Sequence, residues 1–140
     1  MHAERVVVLG AAGLGALSVF LPWVSVPLLG SVTGTELDDG RGWAVLVAAA
    51  AALTSAVAGG GLNGELGALA RFVGVFAGLA IAGVTGWLLV ELYVDGVGSV
   101  VGAGLYVGVV AGLAVTFGPD IVRRRTRRPA FGLWEPPRNT

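Results

Sequence analysis

Cysteine and lysine are both absent from the 140-residue chain, and histidine occurs once, at position 2. Without cysteine there is no disulfide, thiolate nucleophile or thiolate metal site, so any ordered loop must be held by packing alone. A single histidine in a terminus gives no basis for an imidazole-centred catalytic or metal site. Charge is also scarce. Only 13% of residues are Asp, Glu, Lys or Arg, against roughly 25% in soluble domains. The formal net charge is zero, yet all nine basic residues are arginine.

What the chain does contain is apolar. Hydrophobic residues make up 55% of it and glycine contributes 24 positions; the mean hydropathy is +0.82. Four apolar runs, bounded by charges and turn residues, lie at about 6–23, 43–60, 70–92 and 102–122. Each approaches the ~20 residues that cross a ~30 Å hydrocarbon core as a helix. Backbone groups in lipid need internal partners, and these runs lack the alternation of barrel strands. The expected fold class is therefore an all-α membrane protein, a four-transmembrane-helix bundle occupying residues 1–122. The first run reads as an uncleaved helix and not a secretory signal: it is long, Glu4 stands beside Arg5, and no small-x-small site precedes Pro22.

Arginine placement predicts the orientation. With four spans both termini share a side, and Arg5, Arg71, Arg123, Arg124, Arg125, Arg127, Arg128 and Arg138 fall on it, leaving Arg41 alone on the other. The bias of basic residues toward cytoplasmic flanks then puts both termini in the cytoplasm of a cell-membrane, multi-pass protein. Residues 123–140 become a cytoplasmic Arg-rich tail. Its run "RRRTRR" (Arg123 to Arg128) is read as a lipid and orientation element, each Arg contributing about 1 kcal/mol at an anionic surface. Nucleic acid is not expected as a partner, since no groove-entering fold surrounds the run. Gly118 and Pro119 are expected to end or kink the last helix, with Asp120 pairing to Arg123 or Arg124.

Residues 24–42 form an outer loop too long for a simple helix connection. The segment "VSVPLLGSVTGTELDDGRG" alternates in short pieces around Gly30 and Gly34, with β-branched Val24, Val26, Val32 and Thr33. It predicts a small β-hairpin on the outer surface, to which the second outer loop, "YVDGVGSVVGAG", can add an extended piece. Trp23, Trp43, Trp87, Tyr93 and Tyr106 fall at the outer ends of the spans, where amphipathic aromatics anchor. Trp23, Leu28, Leu29 and Trp43 are the candidate outer-loop contact residues.

Small residues recur every four positions in the later spans: Gly74, Gly78, Ala82 and Gly86 in the third, and Gly104, Gly108, Gly112 and Thr116 in the fourth. The second span offers Ala48, Ala52, Ala56 and Gly60. This spacing predicts close helix approach, and a self-association face is the further option.

Signs of chemistry are few. Around the expected midplane positions Gly15, Ala51, Ile81 and Val110 there is no charge, whereas ion-coupled transporters place ionisable residues there. Glu91 reads as an interfacial carboxylate. Glu36, Asp38 and Asp39 lack the spacing and closing Glu of a calcium loop, and read as a solvated turn in which Arg41 neutralises one acid. No nucleophile and base can be paired, so no enzyme, cofactor or metal is expected. The resulting expectation is a non-enzymatic membrane component for interaction or assembly, its partners being membrane lipid and another membrane protein or a second copy. The alternative is a small channel or transporter subunit.

The element "FLPWVS" closing the first run, the polar Gly-containing loop, and "GRGW" opening the second run resemble small uncharacterised four-pass proteins of bacteria and archaea. The arrangement is also similar in topology to claudin-type tetraspans, a resemblance that implies a β-structured first outer segment carrying Trp. The Gly-Leu-Trp element and the Cys pair of claudins are missing from this first loop. Only the topology and the loop Trp residues carry over, and the junction-forming function does not.

Overall fold

The computed structural model describes residues 3–37, 39–59 and 64–126. Four helices, α1 (Ala3–Ser18), α2 (Arg41–Ala58), α3 (Glu65–Val94) and α4 (Ala103–Thr126), accompany an antiparallel pair of strands, β1 (Pro22–Val26) and β2 (Gly30–Thr33). One-turn 3-10 helices occupy Gly34–Glu36 and Gly98–Val100. Around the molecule α1 packs on α2, α2 on α3, α3 on α4, and α4 back on α1. Three of the helical segments, Arg41–Ala58, Glu65–Val94 and Ala103–Val122, are long and apolar enough to cross a membrane.

Small residues fill the interior and large apolar side chains face outward. Ala11, Ala12, Ala49, Ala52 and Ala77 fill the interior, while Leu17, Phe72, Trp87 and Val110 each stand more than half exposed on the outside. A continuous apolar exterior of this kind marks a membrane or partner-facing surface, not that of a soluble monomer.

The helix bounds depart from the sequence reading in three places. The first run was expected to be helical through position 23, but α1 stops at Ser18. The N–H groups of Val19, Phe20 and Leu21 bond three residues back, to Ala16, Leu17 and Ser18, and Pro22, which disfavours a helical Leu21, starts a strand. At 16 residues α1 rises about 24 Å, short of a ~30 Å core. α3 is longer than the expected 70–92, running 30 residues from Glu65. α4 does not end at Gly118 or Pro119; it continues through Pro119 to Thr126. Pro119 has no N–H for the Val115 carbonyl, a loss that surrounding helices and polar groups can offset in a membrane helix. The expected ion pair from Asp120 to Arg124 is not formed, and the Arg123 side chain lies outside the described residues.

Two apolar clusters make the core. At the hairpin end Val19, Trp23, Val45, Ile81, Leu88 and Leu105 are buried together. Toward the other end Ala11, Ala12, Ala52, Ala77 and Val115 form the second. The α3–α4 seam is closest where Gly78 faces Gly112: a Cβ on Gly112 would lie 2.5 Å from the Ala82 nitrogen and 2.7 Å from the Gly78 carbonyl oxygen. Only residues without side chains permit that approach.

Candidate functional site

The hairpin is fastened to the helices through Trp23. The β1–β2 register shifts between Pro22 and Val24, an irregularity of the kind that re-aims a side chain. The Trp23 indole is fully buried, and its Nε1–H donates to the Ser18 carbonyl at 2.8 Å. Gly34 and Gly104 flank the ring so closely that a Cβ on either would come within 2.6 Å of it. Backbone bonds complete the brace: Gly34 N–H to the Val19 carbonyl at 2.9 Å and Gly102 N–H to the Trp23 carbonyl at 2.8 Å. Val24 also bridges Val101 in antiparallel fashion, so the second loop does add an extended piece to the hairpin.

The free end of this braced element carries Pro27, Leu28 and Leu29. The Leu29 N–H donates to the Val26 carbonyl at 3.2 Å, closing a four-residue turn with Pro27 in its second place. Leu28, in the third, has φ +73°. A positive φ there fits a type II turn, a place normally filled by Gly or Asn. For a leucine this left-handed conformation costs roughly 1–2 kcal/mol. Leu28 is 105% exposed and Leu29 87% exposed, so neither recovers that cost by burial within the chain.

Polar groups ring the base of the hairpin. Arg41 bonds Asp39 at 2.9 Å and Glu91 at 2.8 Å, tying the start of α2 to the end of α3. The Glu36 carboxylate accepts from the Thr33 N–H at 2.8 Å and from its hydroxyl at 3.0 Å, and these bonds hold its pKa below the ordinary carboxylate value. Tyr93 and Tyr106 share a hydroxyl contact of 2.9 Å. Among the described residues no three acidic or histidine side chains gather into a metal-holding group.

The opposite end of the molecule holds a cavity of about 400 Å³, reached between all four helices. Its lining includes Arg5 from α1, Ser55 from α2, Arg71 from α3, and Thr116, Pro119 and Asp120 from α4. The Ser55 and Thr116 hydroxyls donate to the Ala52 and Gly112 carbonyls, at 2.8 and 2.9 Å, leaving their oxygens able to accept.

The sequence-predicted residues distribute unevenly over these features. Leu28 and Leu29 form the exposed tip and Trp43 is exposed on α2, but Trp23 is buried; it is an anchor of the hairpin, not an accessible contact. In the small-residue stripes Gly74, Gly78, Gly104, Gly108 and Gly112 are buried and Ala82 and Gly86 half-buried, and a Cβ on Gly86 would meet only Val109 Cγ2, at 3.9 Å. Arg123, Arg124 and Arg125 lie on the last turn of α4, with Arg124 exposed. Arg127, Arg128 and the rest of the tail, like Asp38 and Gly60, lie outside the described residues. Sequence reading missed the cavity, whose lining comes from four separate helices. No known protein family, curated protein or solved structure matches the chain.

Proposed function

We propose that the chain is an integral, four-pass component of the cell membrane that acts without catalysis, in interaction or assembly, through the hairpin tip. α1 and the Val19–Leu21 turn together make the first pass. Both termini face the cytoplasm, supported by Arg5, Arg71 and Arg124 gathering at the end away from the hairpin, while Arg41 at the hairpin end is neutralised by Asp39 and Glu91. On α3 the interval from Arg71 to Glu91 rises about 30 Å, matching the hydrocarbon thickness.

The observation that carries the proposal is Leu28. A fully exposed leucine in a left-handed turn position is costly for the isolated chain, and such strain persists where function uses it. The tip stands on a base fixed by Trp23 and the Val24–Val101 bridge, which limits the ordering entropy lost when it docks. The partner is another membrane protein or a second copy, with membrane lipid around the helices and no role for nucleic acid. A small channel or transporter subunit is the second reading, favoured by the cavity between the helices. Against it, the Val19, Trp23, Val45, Ile81 and Leu105 cluster fills the hairpin half of the interior, where the buried Ser18 and Thr85 hydroxyls bond helix carbonyls.

Affinity isolation from native membrane under mild detergent tests the proposal. One stoichiometric protein partner, or a dimer lost on changing Leu28 and Leu29 to Ser, supports it. A homomeric ring with a hydrated axis, unchanged by those substitutions, supports the channel reading instead.

A further inference from the structure

The arginine-end cavity has no part in the hairpin reading, and its construction indicates a ligand site. Its volume of about 400 Å³ lies within the about 300–1,000 Å³ range of ligand pockets. Two guanidinium groups, Arg5 and Arg71, line it together with one carboxylate, Asp120. Arg71 and Asp120 make no ion pair among the described residues. Below them the wall offers hydroxyl oxygens from Ser55 and Thr116. Pro119 adds a further acceptor, because it cannot donate to the Val115 carbonyl and both residues line the cavity. Interrupted helix bonding facing a cavity is where membrane proteins place their polar ligands.

Cations with a set of acceptors around them describe a phosphate ester whose other end donates hydrogen bonds. Basic pockets between membrane helices take phospholipid head groups, and the surrounding helices are exposed to lipid. We infer that this cavity binds the head group of an anionic, hydroxyl-bearing phospholipid, its phosphate held by Arg71 and its hydroxyls accepted by Asp120 and the Val115 carbonyl. The cavity has room for a head group but not for a two-chain lipid, so the acyl chains stay outside along the helices. The site depends on membrane placement but not on the hairpin tip, so the two proposals can fail separately.

The test is native mass spectrometry of the full chain released from mixed micelles of phosphatidylglycerol and phosphatidylcholine at equal concentration. One phosphatidylglycerol is expected to be retained in preference to phosphatidylcholine, whose head group has the phosphate but no donor. Arg71→Ala lowers that retention about tenfold, the scale of a lost charged hydrogen bond, and Arg71→Lys restores part of it. Arg124→Ala, which removes an exposed charge at the same end but outside the cavity, changes retention by about twofold or less. Equal retention of both lipids, or equal losses in the Arg71 and Arg124 variants, overturns the site in favour of general surface attraction. Inorganic phosphate that binds alone, depends on Arg71 and displaces phosphatidylglycerol overturns the lipid assignment and leaves a soluble phosphate site.

Discussion

The indole of Trp23 donates to the Ser18 carbonyl across 2.8 Å, joining the first strand of the hairpin to the last turn of α1 through a side chain with no exposed surface. Trp23→Ala should therefore cost about 3–5 kcal/mol and release the hairpin to proteolysis. Trp23→Phe keeps most of the ring volume and gives up the hydrogen bond, at about 1 kcal/mol. Trp43→Ala, at an exposed residue, should change thermal stability in detergent by about 0.5 kcal/mol or less. Equal effects at the two tryptophans would remove the anchoring role.

Glycines of the α3–α4 seam should separate into two groups. Gly112→Ala drives a Cβ against the backbone of Ala82 and Gly78 and should destabilise by about 1–3 kcal/mol. Gly86→Ala meets only Val109 Cγ2 at 3.9 Å and should stabilise by about 0.8–1.0 kcal/mol through helix propensity. Paired thermal melts in the same detergent decide; a Gly112→Ala melt at or above the parent's would mean the seam has slack.

The Glu36 turn supplies a pH dependence. Its bonds from Thr33 favour the ionised carboxyl in the folded state, so its pKa is lowered there. The turn therefore gains stability above the ordinary carboxylate pKa and loses it as pH falls through the lower folded-state value. Hydrogen exchange at the Thr33 amide, corrected for intrinsic rates, should accelerate as pH falls below the ordinary carboxylate value. Glu36→Gln should lack that step. An identical profile in the variant would show that another group governs the turn.

Orientation is tested with reporters. A C-terminal fusion that matures only in the cytoplasm should be active, and the same reporter inserted at Asp39 should be silent. The opposite pattern would invert the topology and place the arginine-end cavity outside.

Helices and hairpin were legible in the sequence for physical reasons. Long apolar runs have only one way to satisfy their backbone in lipid, and β-branched residues around Gly30 specify a short hairpin. The end of α1 was harder, because Val19 to Trp23 is equally apolar as helix or strand; Pro22 was the available signal. The inward turn of Trp23 could not be read at all. It depends on a register shift at Pro22 and on space left by Gly34 and Gly104, the latter remote in sequence. Pro119 read as an end or a kink of the helix by local rules, and α4 passes through it to Thr126. The cavity was invisible for a similar reason: Arg5, Arg71 and Asp120 are scattered along the chain, and only the packing of four helices brings them to one lining.

The hairpin tip as a docking point is tested most directly by Leu28→Gly. Glycine adopts the φ of +73° found at Leu28 without the leucine's steric cost, so the substitution should leave the hairpin as stable as before or up to about 1 kcal/mol more so. It also removes the exposed side chain. Protease protection of the loop and complex size on a native gel, measured on the same membranes, should show a hairpin as protected as the parent's in a smaller complex. A protected hairpin in a complex of unchanged size would contradict the proposal.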